Sequence, residues 1–156
     1  MIESGSQSAI PAQTQRGHHL SPLATSIFVI DDSPTIRKVI EIALNCEGYE
    51  VATFHDGIEA MKWLLTPGVR PPNLMLVDIG LPKMDGYEVI RRFRANPRFA
   101  NTRCLILSGR DGVVDKLNAG QVGVHAYVPK PFTIQELITA VRTNIAGISV
   151  SEHVNH

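Results

Sequence analysis

Only two cysteines, Cys46 and Cys104, occur in the 156 residues, and their separation fits neither a metal-ligand nor a redox motif. Two thiols in a chain this size do not make a disulfide framework, so a reducing compartment, the cytoplasm, is the default. Net charge is missing too: 15 Lys and Arg balance 15 Asp and Glu. Without an excess of positive charge there is no long-range pull on a polyanion, and nucleic-acid binding loses its electrostatic basis. The one basic run, "RRFR" at 91–94, reads as a solvated helix face. No apolar run is long enough to span a bilayer, and the first residues lack the hydrophobic core of a signal peptide. The adjacent pair His18 and His19 lies in a polar, Pro-containing stretch and makes no convincing metal site.

What the chain does have is enough apolar material, 44% of residues, for one domain with a proper core. Residues 1–25 are rich in Ser, Gln, Pro and Thr and are expected to form a flexible leader; 148–156 read as a short polar tail. Between them, over 26–147, short β-rich runs alternate with segments of helical period. The runs are "SIFVI" (26–30), "EVATF" (50–54), "NLMLV" (73–77), "RCLIL" (103–107) and "HAYV" (125–128). The first helical segment sets Ile36, Val39, Ile40, Ala43 and Leu44 on one face, with Ser33 as N-cap, Pro34 in the first turn and Gly48 as the stop. Helices follow at 57–65, at 86–95 with Asp85 as cap, and at 133–145 with Thr133 as cap. In the last of these Ile134, Leu137, Ile138 and Val141 share a face. A weaker fourth segment at 112–121 is interrupted by Gly120 and Gly123. Strand alternating with helix five times predicts an open α/β sandwich of parallel strands joined by right-handed crossovers.

In such a sheet, ligands bind beyond the carboxyl ends of the strands. Asp31 and Asp32 follow the first run, Asp78 the third, Ser108 the fourth, and Lys130 lies close to the fifth. An isolated buried carboxylate is costly, so Asp78 at the end of "LMLV" demands a partner, and the topology supplies several. Clustered carboxylates raise one another's pKa unless a cation is near. A hard divalent ion, Mg²⁺ or Mn²⁺, suits few carboxylates with retained water and phosphate oxygen, and Lys130 adds a point charge for a phosphoryl group. An Asp so placed is a competent nucleophile towards phosphorus. Each signal alone has a plain structural reading: "DDSP" a helix cap, Asp78 a turn former, Ser108 before Gly109 a turn, "KPF" a loop. Their order, one per successive strand end, favours chemistry.

The stretches "VIDDSPTIRKVI", "LMLVDIGLPKMDGYEVIRRFR", "LILSGR" and "AYVPKPF" resemble the receiver domain of two-component response regulators over residues 26–147. The resemblance implies a flavodoxin-like, doubly wound sheet of five strands in order 2-1-3-4-5 with five helices. It implies that Asp78 takes a phosphoryl group from a phosphohistidine of a sensor histidine kinase or phosphotransfer protein. Asp31, Asp32, Asp78 and the Gly80 carbonyl would hold the metal, and Ser108, Gly109 and Lys130 would bind phosphate. Lys130–Pro131 would be the family's cis peptide, and Ser108 with Tyr127 the switch, read by a downstream protein on the face of the fourth helix, fifth strand and last helix. Pro82 and Gly86 match the loop after the acceptor. Gly80, where a larger side chain often sits, and Arg110 leave the phosphate lifetime open, and phosphorylation-dependent dimerisation is left open too.

The function expected is therefore a phosphorylation switch without its own output domain, similar to stand-alone receivers of chemotaxis and twitching motility, with neither nucleic acid nor membrane as partner. The alternatives are an Asp-nucleophile phosphatase or phosphotransferase on small phosphoesters, a relay intermediate, and a scaffold that no longer takes phosphate. Haloacid-type enzymes separate the two first-strand aspartates by one residue and usually carry a cap, whereas here the pair is adjacent.

Overall fold

The computed structural model describes residues 24–81, 83–109 and 123–154, with side chains through residue 146. Five strands, β1 (Ser26–Ile30), β2 (Glu50–Phe54), β3 (Leu74–Asp78), β4 (Arg103–Ser108) and β5 (Ala126–Pro129), form one parallel sheet in the order β2-β1-β3-β4-β5. This is the order expected from the sequence.

The alternation of side chains along each strand builds two cores. Phe28, Ile30, Met75, Val77, Cys104 and Ile106 face one side, where they meet α2 (Gly57–Leu64) and α3 (Gly86–Arg94) through Ala60, Leu64, Val89, Ile90 and Phe93. Their neighbours Ile27, Val29, Leu74, Leu76, Leu105 and Leu107 face the other, against Ile40 and Leu44 of α1 (Pro34–Cys46) and Leu137, Ile138 and Val141 of α4 (Ile134–Val154). Strands buried on both faces must be continuously apolar, which is why "LMLV" and "CLIL" read as they do. Truncating a fully buried residue such as Leu76 to Ala costs about 2–5 kcal/mol.

The helix starts are set by side chains that accept otherwise unpaired N–H groups. Ser33 Oγ accepts from Ile36 N at 3.2 Å, and Asp85 Oδ1 from Glu88 N at 2.9 Å. Thr133 and Glu136 form a reciprocal capping box, at 3.0 and 2.8 Å. Asp56, which the sequence reading left unnamed although Asp directly before a helical segment is a cap signal, caps α2 through Glu59 N at 2.8 Å. Gly48, at φ +95°, ends α1 in a conformation that a residue with a Cβ adopts only with strain.

Several expectations need correction. Val39 and Ile134, placed on buried faces by their period, are 42% and 40% exposed. With Ile36, Pro131 and Phe132 they line an apolar groove of about 390 Å³ that Lys130 also borders. The last helix runs on to Val154 instead of giving way to a tail near 148. A short 3-10 turn at Pro97–Phe99, absent from the sequence reading, precedes β4. The "RRFR" run is only partly a solvated face. Arg91 and Arg92 are exposed and pair with Glu88, but Arg94 turns inward to donate to the carbonyls of Phe99 (2.9 Å) and Gly123 (3.1 Å). The expected leader through residue 23, Pro82, Arg110 and the expected fourth helix at 112–121 with Gly120 lie outside the described residues. Four α-helices are therefore found among the described residues. None of them is long and apolar enough to cross a membrane.

Candidate functional site: an acidic pocket at the carboxyl edge of the sheet

Parallel register brings the ends of β1, β3, β4 and β5 to one edge. Asp31 continues β1 by one position, its N–H bonded to Phe54 O at 3.1 Å. Asp78 ends β3 opposite Leu107, Ser108 ends β4 opposite Pro129, and Lys130 follows β5 directly. The Lys130 N–H donates to Ser108 O at 2.6 Å, extending the β4–β5 ladder past the strand end, and the Lys130–Pro131 peptide is cis as the resemblance implied.

The side chains converge. Lys130 Nζ lies 3.0 Å from Asp31 Oδ2 and 3.5 Å from Asp78 Oδ2. Asp31, Asp32 and Asp78 each bring a carboxylate oxygen within 4.8 Å of the others. Asp31 is fully buried, its other oxygen accepting from Ser33 N–H at 2.9 Å. Asp32 is exposed, whereas Asp78 is buried with Oδ1 accepting from Gly80 N–H at 3.1 Å. Thus one residue type, Asp, occupies three environments: sealed, open and poised between them.

Electrostatics follow from this. Burial pushes the Asp78 pKa above its ordinary value; Asp31 and Asp32 push the same way, while the Gly80 N–H and the Lys130 ammonium pull against them. Burial alone would lower the Lys130 pKa. The hydrogen bond and charge of Asp31, with the charge of Asp78, outweigh it, so the net direction is up and the ammonium stays protonated at neutral pH. An all-oxygen set of three carboxylates, one of them open to solvent, fits a hard divalent cation that keeps several waters.

Two more features shape the pocket. A Cβ on Gly86 would fall 2.6 Å from Asp78 O and 2.8 Å from Ile79 Cα, so only glycine lets α3 begin against the backbone of Asp78 and Ile79. At Gly80 a Cβ would lie 3.8 Å from Asp78 Oδ1, an ordinary contact, so any larger side chain there would stand beside the carboxylate. Arg37, to which no motif pointed, donates to the Asp31 carbonyl at 2.6 Å and ties α1 to the end of β1. Its position one turn into α1 was the available signal. Gly109 is exposed and open, with nothing within 4 Å of a Cβ built on it. Tyr127 is half-buried, packed on the α2–α3 side of the sheet, and Ser108 is fully buried.

The chain is similar in sequence and in fold to known proteins. Residues 27–142 match the family model of the response regulator receiver domain. Protein PilG of Pseudomonas aeruginosa is 34% identical over 129 residues, covering 83% of this chain and 93% of that protein. Transcriptional regulatory protein TrcR of Mycobacterium tuberculosis is 34% identical over 134 residues, 86% of this chain, which spans only half (50%) of that relative. Among solved structures, the chemotaxis response regulator CheY4 of Vibrio cholerae superposes with a TM-score of 0.72 at 26% identity, covering 78% of this chain and 98% of that one. A response regulator structure from Chloroflexus aurantiacus gives a TM-score of 0.71 at 28% identity, covering 79% and 98%.

Proposed function

Because this chain belongs to the response regulator receiver domain family, we propose that it is a phosphorylation switch whose acceptor is Asp78, charged by a phosphohistidine of a kinase or phosphotransfer protein. The observation that carries the reading is the Lys130 ammonium held between Asp31 and Asp78 at 3.0 and 3.5 Å, at the open edge of the sheet.

In the transfer an Asp78 carboxylate oxygen bonds to phosphorus as the P–N bond to the donor imidazole breaks, and the imidazole leaves with the electron pair and picks up a proton. The raised pKa makes Asp78 a more basic and better nucleophile than an exposed Asp. The Gly80 N–H fixes one of its oxygens and so fixes the direction of attack. Lys130, protonated and already aimed at Asp78, pairs with the incoming phosphoryl oxygens. Asp31, Asp32 and Asp78, with the Gly80 carbonyl, would hold Mg²⁺, which when bound neutralises charge on the transferring group. Both oxygens of the fully buried Asp31 are satisfied, one by the Lys130 ammonium and one by the Ser33 N–H. Ser108 and Gly109 at the end of β4 supply donors to the phosphoryl group.

The chain modifies itself and turns over no external substrate. Its signal is a shift of Ser108 towards the phosphate and of the half-buried Tyr127 ring inward, read by a downstream protein on the β5–α4 side. The donor protein approaches over the apolar groove of Ile36, Val39 and Ile134, since Lys130 borders both that groove and the acceptor.

Incubation of the protein with acetyl phosphate and Mg²⁺ tests the reading. One acid-stable, base-labile phosphate per chain is expected, lost in Asp78→Asn and on chelation of the metal. Labelling that persists in Asp78→Asn, or rapid turnover of ordinary phosphoesters, would refute it.

A further inference from the structure

The β4–β5 ladder has an irregular start. The His125 N–H donates to Cys104 O at 2.8 Å. In a parallel ladder the N–H and C=O of one residue bond to residues two apart on the neighbouring strand, so the Cys104 N–H would belong to the Gly123 carbonyl. That carbonyl is taken by Arg94 Nη2 at 3.1 Å. The Cys104 N–H instead donates to the imidazole of His125, Nδ1, at 3.2 Å. A side chain replaces a ladder bond at the beginning of the edge strand.

This bond exists in only one protonation state. An Nδ1 that accepts carries no proton, so the ring proton sits on Nε2. When the ring is protonated, both nitrogens become donors and Nδ1 faces another donor. Cys104 is fully buried, so its N–H has no water to turn to, whereas His125 has part of its ring buried against the sheet and an exposed side that exchanges protons with solvent.

We propose that His125 is a proton-operated latch: its neutral imidazole fastens the start of β5 to β4, and protonation releases it. The strand so released carries Tyr127 two residues on and leads into Lys130, so the latch acts on the segment that the phosphorylation reading assigns to the switch, although it does not depend on that reading. The charged groups that act on the ring among the described residues are Arg103 on β4 and Arg94 on α3, and both oppose a second positive charge. Among the described residues no carboxylate pairs with the ring to favour its cationic form. Burial, then Arg103, then Arg94 hold the His125 pKa below its ordinary 6.5. A depressed histidine pKa means that the closed latch contributes fully above the ordinary value and is lost as pH falls through the lower, folded one.

The test is nitrogen NMR of the unmodified chain from about pH 8 to about pH 5, with amide exchange corrected for intrinsic rates. At the alkaline end the Nε2–H tautomer of His125 is expected. As the ring titrates, protection of the Cys104 amide should fall about tenfold or more relative to Leu105, whose N–H alternates to the β3 side. His125→Asn keeps an acceptor oxygen near the Nδ1 position but cannot titrate, so its Cys104 protection should stay flat. An Nδ1–H tautomer at high pH, no selective loss at Cys104, or the same loss in His125→Asn would each overturn the latch. The tautomer and the wild-type titration decide the matter even if the variant fails to fold.

Discussion

Replacing Asp78 by Asn is expected to make the metal-free protein more stable while abolishing phosphate acceptance. At an effective dielectric of about 20, two carboxylates no more than 4.8 Å apart repel by at least about 3.5 kcal/mol, and an ammonium 3.5 Å away attracts by about 4.7 kcal/mol. Asp31 and Lys130 therefore nearly cancel at Asp78. Asp32 is exposed, so its repulsion is heavily screened and adds little. What remains is the cost of burying a carboxylate that is 7% exposed, offset in part by the Gly80 N–H, which an Asn oxygen still engages but more weakly than a carboxylate does. The net gain should be about 1–2 kcal/mol, or roughly 3–6 °C in Tm. The sign follows from linkage. A raised folded-state pKa means that the folded protein disfavours the anion, a penalty that grows as pH rises from the ordinary 3.8 through the raised value and is complete above it. The advantage of Asn should thus be full at neutral pH and vanish towards pH 4. Urea unfolding in chelator, followed by far-UV circular dichroism at several pH values, measures it. Added Mg²⁺ should narrow the gap by binding the folded wild type more tightly. Equal or lower stability of Asp78→Asn in chelator at neutral pH would show that the pocket is not electrostatically strained, and the reasoning about it would fail.

Lys130→Met removes the only side-chain partner of the buried Asp31 Oδ2 among the described residues, and should lower stability by about 2–3 kcal/mol in chelator, with partial recovery in Mg²⁺ by the same unfolding assay. Gly86→Ala drives a methyl into the Asp78 carbonyl at 2.6 Å; a loss of about 1–3 kcal/mol and weaker Mg²⁺ binding by titration calorimetry are expected, and an unperturbed affinity would uncouple that turn from the site. Val39→Asp places a charge in the apolar groove, where the side chain is already 42% exposed. It should slow phosphotransfer from a donor protein at least about tenfold while leaving acetyl phosphate labelling unchanged, and equal slowing of both would remove the groove from donor contact.

The sequence alone determined what depends on local chemistry and strict period. Continuous apolar runs such as "LMLV" and "CLIL" identify strands covered on both faces. Ser33, Asp85 and Thr133 mark helix starts because a short oxygen-bearing side chain is what the first N–H groups need. Asp31, Asp32, Asp78, Ser108 and Lys130 were legible because a parallel sheet sends every strand's carboxyl end to one edge. Tertiary structure decided whatever depends on which surfaces finally meet. Val39 and Ile134 keep the helical period of buried residues yet border an open groove, since period fixes a face and not what covers it. Arg94 sits in a basic run that reads as solvated, but Phe99 and Gly123 bring two carbonyls within its reach, and Gly123 is 29 positions away in the chain. The acceptor role of His125 Nδ1 exists only because β5 docks beside β4 while Arg94 holds the Gly123 carbonyl, an arrangement that no single segment encodes.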